Sequence, residues 1–278
     1  MKLCIAEDPK DLPNSTQSFL EANELSNNIP LGILNRLRNN PKAYQGFKLY
    51  SLIDDDDRTL AYGHWTPPHP LALAAATQPA ITAFAKAIRQ ENPQLSGISG
   101  PKDCIERFLE EWPELKPKIT RTERMGAYRL DKVVPPRPSQ AVIGPAVESD
   151  LDLVLRWRHA FDQDCQLISL PDEEAKSWAI DRIAHQEIYL ARVGNVPVSS
   201  AIAGRILKTG RSVGFVYTPP EHRGCGYASH LVADLSQRIL NEGYQFCCLF
   251  TQLENLTSNK IYQNIGYQWC EEFVHYHF

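Results

Sequence analysis

Two short stretches carry residue types suited to handling a phosphate or an activated acyl group. The first is Arg223-Gly224-Cys225-Gly226-Tyr227-Ala228. Its glycines let backbone N–H groups turn inward and form a concave nest. A helix expected from Ala228 to about Asn241 adds unpaired N–H groups and the positive end of its dipole. A pyrophosphate is the natural guest, and Arg223 is placed either to contact it or to fix the loop. The same six residues would also serve as an ordinary tight turn. A dinucleotide-binding loop does not fit, because the third spaced glycine and a later acidic strand end are missing. A Walker loop does not fit either, because no Gly-Lys-Ser/Thr follows.

The second stretch runs from Asn255 through Ser258 and Tyr262 to Gly266-Tyr267. Asn255 and Ser258 suit a helix start. Asn255, Ser258 and Tyr262 are three and four residues apart, so they share one helical face. Ile261 and Ile265 lie on a neighbouring face suited to packing on a sheet. Alone, this is a capped amphipathic helix with one core tyrosine.

Together, in the order strand, R-G-x-G-x-A loop, helix, strand, N-x-x-S-x-x-x-Y-x-x-x-G-Y, the two stretches resemble the GCN5-related N-acetyltransferase (GNAT) superfamily. Arg223, Gly226 and Ala228 fill the family's pyrophosphate signature, and Asn255 and Tyr262 match its later Asn and Tyr. The resemblance covers about half the chain closely. It implies an α/β (α+β) fold with a mixed central sheet flanked by helices.

The resemblance also implies roles. Val216, Tyr217 and Thr218 match the splayed strand whose backbone pairs with the pantetheine arm of CoA. A backbone N–H near Val216 would polarise the thioester carbonyl. Arg223, Gly224, Cys225, Gly226, Tyr227, Ala228 and Ser229 would hold the pyrophosphate, and Asn255 would order the pantetheine or a water. Tyr262 would donate a proton to the departing thiolate as general acid. Packing against CoA is the plainer reading of Tyr262. The donor is expected to be acetyl-CoA and the acceptor an amine of a small molecule or peptide. No acyl-enzyme is required, and no metal is expected.

The general base is not legible. Glu254, Tyr217, Glu271, Glu272, His275 and His277 are candidates, and exposed strand polarity is the better account of each. His275 and His277 alternate along a strand and so share a face. Cys225 sits where a helix dipole would favour a thiolate, yet a permissive loop position explains it without chemistry. Ser96-Gly97-Ile98-Ser99-Gly100 lacks the Gly-x-Ser-x-Gly spacing of a nucleophile elbow, which disfavours a serine hydrolase.

Pro135, Pro136 and Pro138 break the chain near its middle. Such a run stops a helix and cannot enter a central strand. It separates residues 1–134 from a catalytic half, residues 138–278. That second half reads β-α-α-β-β-β-α-β-α-β. Its elements are strands Ala141–Ala146, Glu187–Val193, Val198–Leu207, Ser212–Thr218, Phe246–Thr251 and Tyr267–Phe278, and helices Asp150–Phe161, Leu170–Ala184, Ala228–Asn241 and Leu256–Asn264. The first half is expected to be a degenerate copy of the same GNAT-like fold. Helices are expected over Asn14–Asn27, Leu31–Arg38, Pro79–Gln90 and Pro101–Trp112. Strands are expected over Phe47–Ile53, Thr59–Trp65, Pro70–Ala76, Leu95–Ile98 and within Ile119–Lys132. Asp54 to Asp57 read as a solvated hairpin turn. The stretch between Ala76 and Pro79 has neither the glycines nor the cation to hold a pyrophosphate, so this copy is expected to shape the acceptor cleft or mediate assembly.

Composition narrows the partners. The net charge is −4 with no Lys/Arg run, which argues against nucleic acid and against an aminoacyl transferase using charged tRNA. No apolar run is long enough for a bilayer, and the N-terminus lacks a signal peptide's basic start and apolar core. The seven cysteines are odd in number and form no C-x-x-C pair, so reduced thiols in a cytoplasmic protein are expected. Beside the acetyltransferase stand two other readings: a non-catalytic CoA-binding sensor, and an acyltransferase using a longer acyl-CoA or a hydroxyl acceptor. Oligomeric state is left open.

Overall fold

A computed structural model describes residues 1–44, 46–167 and 169–278. One element order occurs twice along the chain. The first copy comprises β1 (Lys2–Ala6), α1 (Ser15–Glu21), α2 (Asn28–Asn39), β2 (Lys48–Ile53), β3 (Thr59–Trp65), β4 (Leu71–Leu73), α3 (Gln78–Glu91), β5 (Gly97–Pro101), α4 (Lys102–Glu111) and β6 (Arg121–Leu130). The second comprises β7 (Val142–Pro145), α5 (Leu151–Asp164), α6 (Asp172–Ala184), β8 (Ile188–Val193), β9 (Val196–Ile206), β10 (Gly210–Tyr217), α7 (Tyr227–Asn241), β11 (Phe246–Gln252), α8 (Leu256–Asn264) and β12 (Gln268–His277). Both read β-α-α-β-β-β-α-β-α-β. The order expected from the second half is the observed one, and it recurs in the first.

Two compact units form. The first contains Met1–Tyr128, Phe250–Asn255 and Trp269–Phe278, and the second Arg129–Leu249 and Leu256–Gln268. In the first unit β1 to β4 are antiparallel neighbours, and α3 carries the chain to β5, which lies parallel to β4. The last strand of the chain, expected among the elements of the C-terminal half, pairs antiparallel with β5, Val274 opposite Gly100. Its Val274 is buried in the core of this unit beside Ile98, Ile105 and Phe108. Apolar residues on α3 and α4 supply much of that core, as their helical spacing requires.

In the second unit β7, β8, β9 and β10 are antiparallel, and α7 connects β10 to the parallel strand β11. A Cβ at Gly210 would meet ring atoms of Phe246 at 2.3–2.5 Å, so only glycine admits the ring where these two strands begin to pair. Leu231, Val232, Leu235 and Ile239 line the buried face of α7. Phe246 to Leu249 are buried in succession, as a central parallel strand demands.

Three local features depart from the expected boundaries. A strand forms at Lys2–Ala6, where none was expected. The first helix ends at Glu21, well short of Asn27. Asn27 is buried; its amide donates to the Leu20 carbonyl at 3.0 Å and its side-chain oxygen accepts from the Ala75 N–H at 2.8 Å. An asparagine so engaged draws the backbone out of the helix. Strand β4 is limited to Leu71–Leu73, shorter than Pro70–Ala76. The acidic run forms a turn, in which Asp54 N–H donates to the Arg58 carbonyl at 3.0 Å. Among the described residues no helix is long and apolar enough to cross a membrane.

Candidate active site

Strand β10 pairs with β11 only from Gly210 to Ser212. The rest of β10, as far as Tyr217, continues without a β11 partner in that register. On its other side the register with β9 slips by one residue between Gly214 and Tyr217. Phe215, inside this bulge, has φ +48°, a conformation that a bulky residue holds only under constraint. The constraint is aromatic: the Phe161 and Trp178 rings lie edge-on to Phe215, with centroids 5.3 and 5.5 Å away. A bulge of this kind re-aims the backbone beside it, here at Val216.

The end of β10 is braced from below. Ser199, fully buried on β9, donates to the Tyr217 carbonyl at 3.0 Å, and its hydroxyl lies 2.9 Å from that of Thr218. Trp157 packs against Tyr217 at 5.8 Å.

The loop that follows joins β10 to α7 through two glycines at positive φ. Gly224 and Gly226 have φ +80° and +79°, which disfavours any other residue. A Cβ at either would meet nothing within 4 Å, so the need for glycine is conformational and the space beyond the loop is open. Gly226 is the N-cap of α7 and offers no side-chain cap, which leaves the first N–H groups of Tyr227, Ala228 and Ser229 for another acceptor. Arg223 donates through Nε to the Thr218 carbonyl at 2.9 Å and pairs through Nη2 with Asp164. Cys225 is exposed, with its sulfur 3.7 Å from the Arg223 carbonyl.

Tyr262 lies on α8 and is buried. Burial raises its phenol well above the ordinary range, so it stays protonated at any working pH. Its ring meets that of Tyr267 edge-on at 6.0 Å. Tyr267 is anchored by a 2.9 Å hydrogen bond between its hydroxyl and that of Ser236 on α7. Asn255 is exposed just before α8, where its N–H donates to the Gln252 carbonyl at 3.0 Å.

The C-terminal end of α5 reaches this loop: Asp164 holds Arg223. Asp164 and Ser199 carry no motif; only the folded chain shows what they touch.

The candidate bases have separate commitments. Burial foremost, then Asp164, raises the phenol of Tyr217. Glu271 is raised by burial and accepts from the Ser26 hydroxyl. Glu272 is held low by Arg124 at 2.6 Å and Lys102 at 3.5 Å. Burial, then the neighbouring His277, lowers His275 to about 4, which makes it a weak proton acceptor. Glu254 is exposed.

Known proteins share this architecture. The family model described as "FR47-like protein" matches residues 193–275, a span that includes the Gly224–Gly226 loop and Tyr262. An acetyltransferase from the GNAT family of Colwellia psychrerythraea has a TM-score of 0.65 at 12% identity, covering 100% of both chains. A GCN5-related N-acetyltransferase from Sphaerobacter thermophilus has a TM-score of 0.65 at 14% identity, covering 99% of this chain and 94% of that one. A Drosophila malonogaster protein has a TM-score of 0.67 at 13% identity, covering 99% and 98%. No curated protein matches the sequence. Taken together, the chain has the fold of the GCN5-related N-acetyltransferases, and residues 193–275 match the FR47-like family within it.

Proposed function

We propose that the protein is an N-acetyltransferase that passes acetyl directly from acetyl-CoA to an amine of a small molecule or peptide. The observation that carries this reading is the run from the bulged end of β10, beyond its pairing with β11, into the Gly224–Gly226 loop at the start of α7, which has no side-chain cap. A pyrophosphate there would receive the α7 amides. The side of Val216, Tyr217 and Thr218 that lies beyond the pairing with β11 would match the amides of pantetheine, as an added strand does.

The amine nitrogen attacks the thioester carbonyl carbon, and the C–S bond breaks as the C–N bond forms. The proton lost by the amine leaves to water. The Tyr262 hydroxyl, which burial keeps protonated, donates a hydrogen bond or its proton to the departing thiolate, and any proton it gives is restored from the water that received the amine's. All seven cysteines are free, as suits a reducing cytoplasm, where we place the enzyme.

Calorimetric titration with acetyl-CoA tests the reading, with Gly226→Glu as the control. Saturable binding lost in the variant supports it, and amines can then be screened by release of the CoA thiol. No binding at millimolar acetyl-CoA would remove it. Binding without turnover on any amine would favour a CoA sensor.

A further inference from the structure

His275 and His277 project from the same face of β12, and their rings stack at 3.9 Å between centroids with 22° between planes. Strand β6 lies beside β12 and carries Glu123. His277 Nε2 is 2.7 Å from Glu123 Oε1. One donor atom from each of the three residues lies within 4.8 Å of the others. Nε2 of His275 is shut off from solvent with no hydrogen-bond partner among the described residues. Glu123 and His277 are largely covered, at 12% and 26% side-chain exposure. None of the three is used by the acyl transfer proposed above.

We propose that Glu123, His275 and His277 bind one divalent transition-metal ion of the zinc class through two imidazole nitrogens and one carboxylate oxygen. The donor set suits a borderline ion and suits calcium or magnesium poorly, since these take oxygen ligands. Ligands on a tetrahedral ion with bonds of about 2.0–2.2 Å lie roughly 3.4 Å apart. The donor atoms, all within 4.8 Å of one another and 2.7 Å apart for His277 and Glu123, reach that spacing by side-chain rotation. The ion takes up the lone pair of the buried His275 nitrogen and clasps β6 to β12. Three protein ligands leave one position for water. Arg121 opposes the ion: its Nη2 is 3.2 Å from Glu123 Oε1. Binding therefore displaces that contact, and Arg121→Gln is expected to tighten it.

The test uses the full chain, stripped with a chelator and titrated with Zn2+ by calorimetry. One equivalent is expected to bind, with affinity reduced about ten-fold or more by His277→Ala and by Glu123→Gln. Substitution with Co2+ separates this site from the cysteines. A ligand-field spectrum without thiolate charge-transfer bands is expected. Circular dichroism and urea midpoints check that each variant is folded, and Glu123→Gln serves if a histidine variant is not. Thiolate bands, no stoichiometric binding, or binding unchanged in a folded variant would overturn the proposal. None of these readouts depends on acetyl transfer, so failure here and failure of the acyltransferase reading are separate results.

Discussion

Arg223 Nη2 lies 2.5 Å from Asp164 Oδ2 while its Nε holds the Thr218 carbonyl at 2.9 Å. One guanidinium thus joins the end of α5, the residue after β10 and the Gly224–Gly226 loop. Both partners of the ion pair are about half exposed, at 50% and 49%, so the pair itself stabilises little. Its importance is electrostatic: Asp164 partly cancels the cation that a pyrophosphate would meet. Asp164→Asn is expected to tighten acetyl-CoA by about two- to five-fold, the equivalent of an exposed pair's worth. Arg223→Gln is expected to weaken it by about ten-fold, because a charge-assisted bond and the loop brace are lost together. Calorimetry on the two variants checks both directions, and equal effects of the same sign would refute the opposition.

Gly226 gives a prediction about strain alone. An alanine there meets no atom within 4 Å but must adopt φ +79°. Gly226→Ala is expected to cost about 1–2 kcal/mol in urea unfolding. If stability is unchanged, the loop does not hold this conformation.

Tyr262→Phe removes one hydroxyl and no packing. Turnover is expected to fall about 100-fold or more, with acetyl-CoA affinity retained. Because burial raises the phenol, ionisation of Tyr262 in the wild type should cause no loss of rate near the ordinary phenol pKa. A basic limb at that point, absent from Tyr262→Phe, would show that the phenol is solvated. Steady-state profiles against pH distinguish the two.

His64 gives a test of stability in the first unit. Burial, then the nearby His69, lowers its pKa to about 4, and its Nδ1 has no partner among the described residues. The folded state therefore keeps His64 neutral where the unfolded chain, near 6.5, takes a proton. Stability is full above the unfolded value and is lost as pH falls from there toward the folded one. Between roughly pH 7 and pH 5 the loss attributable to His64 is about 2 kcal/mol. His64→Leu should remove that part of the slope in urea midpoints. An identical slope in both proteins would contradict it.

Most of what is local can be read from the order of the residues. Helical spacing on Ala228–Asn241 and the apolar run from Phe246 predict α7 and β11, because periodicity is a property of neighbouring residues. Gly224 and Gly226 mark a loop of positive φ because that conformation is a property of single residues. The place of Tyr262 on α8 follows from the local helical pattern, and its role is the proposal made above. The tertiary structure decided what depends on distant segments meeting. The place of β12 beside β5, the grip of Asp164 on Arg223, the brace from Ser199 and the approach of Glu123 to His277 leave no periodic trace. A residue's partners across a sheet are set by strand register, and register is chosen by burial of whole faces, not by spacing along the chain.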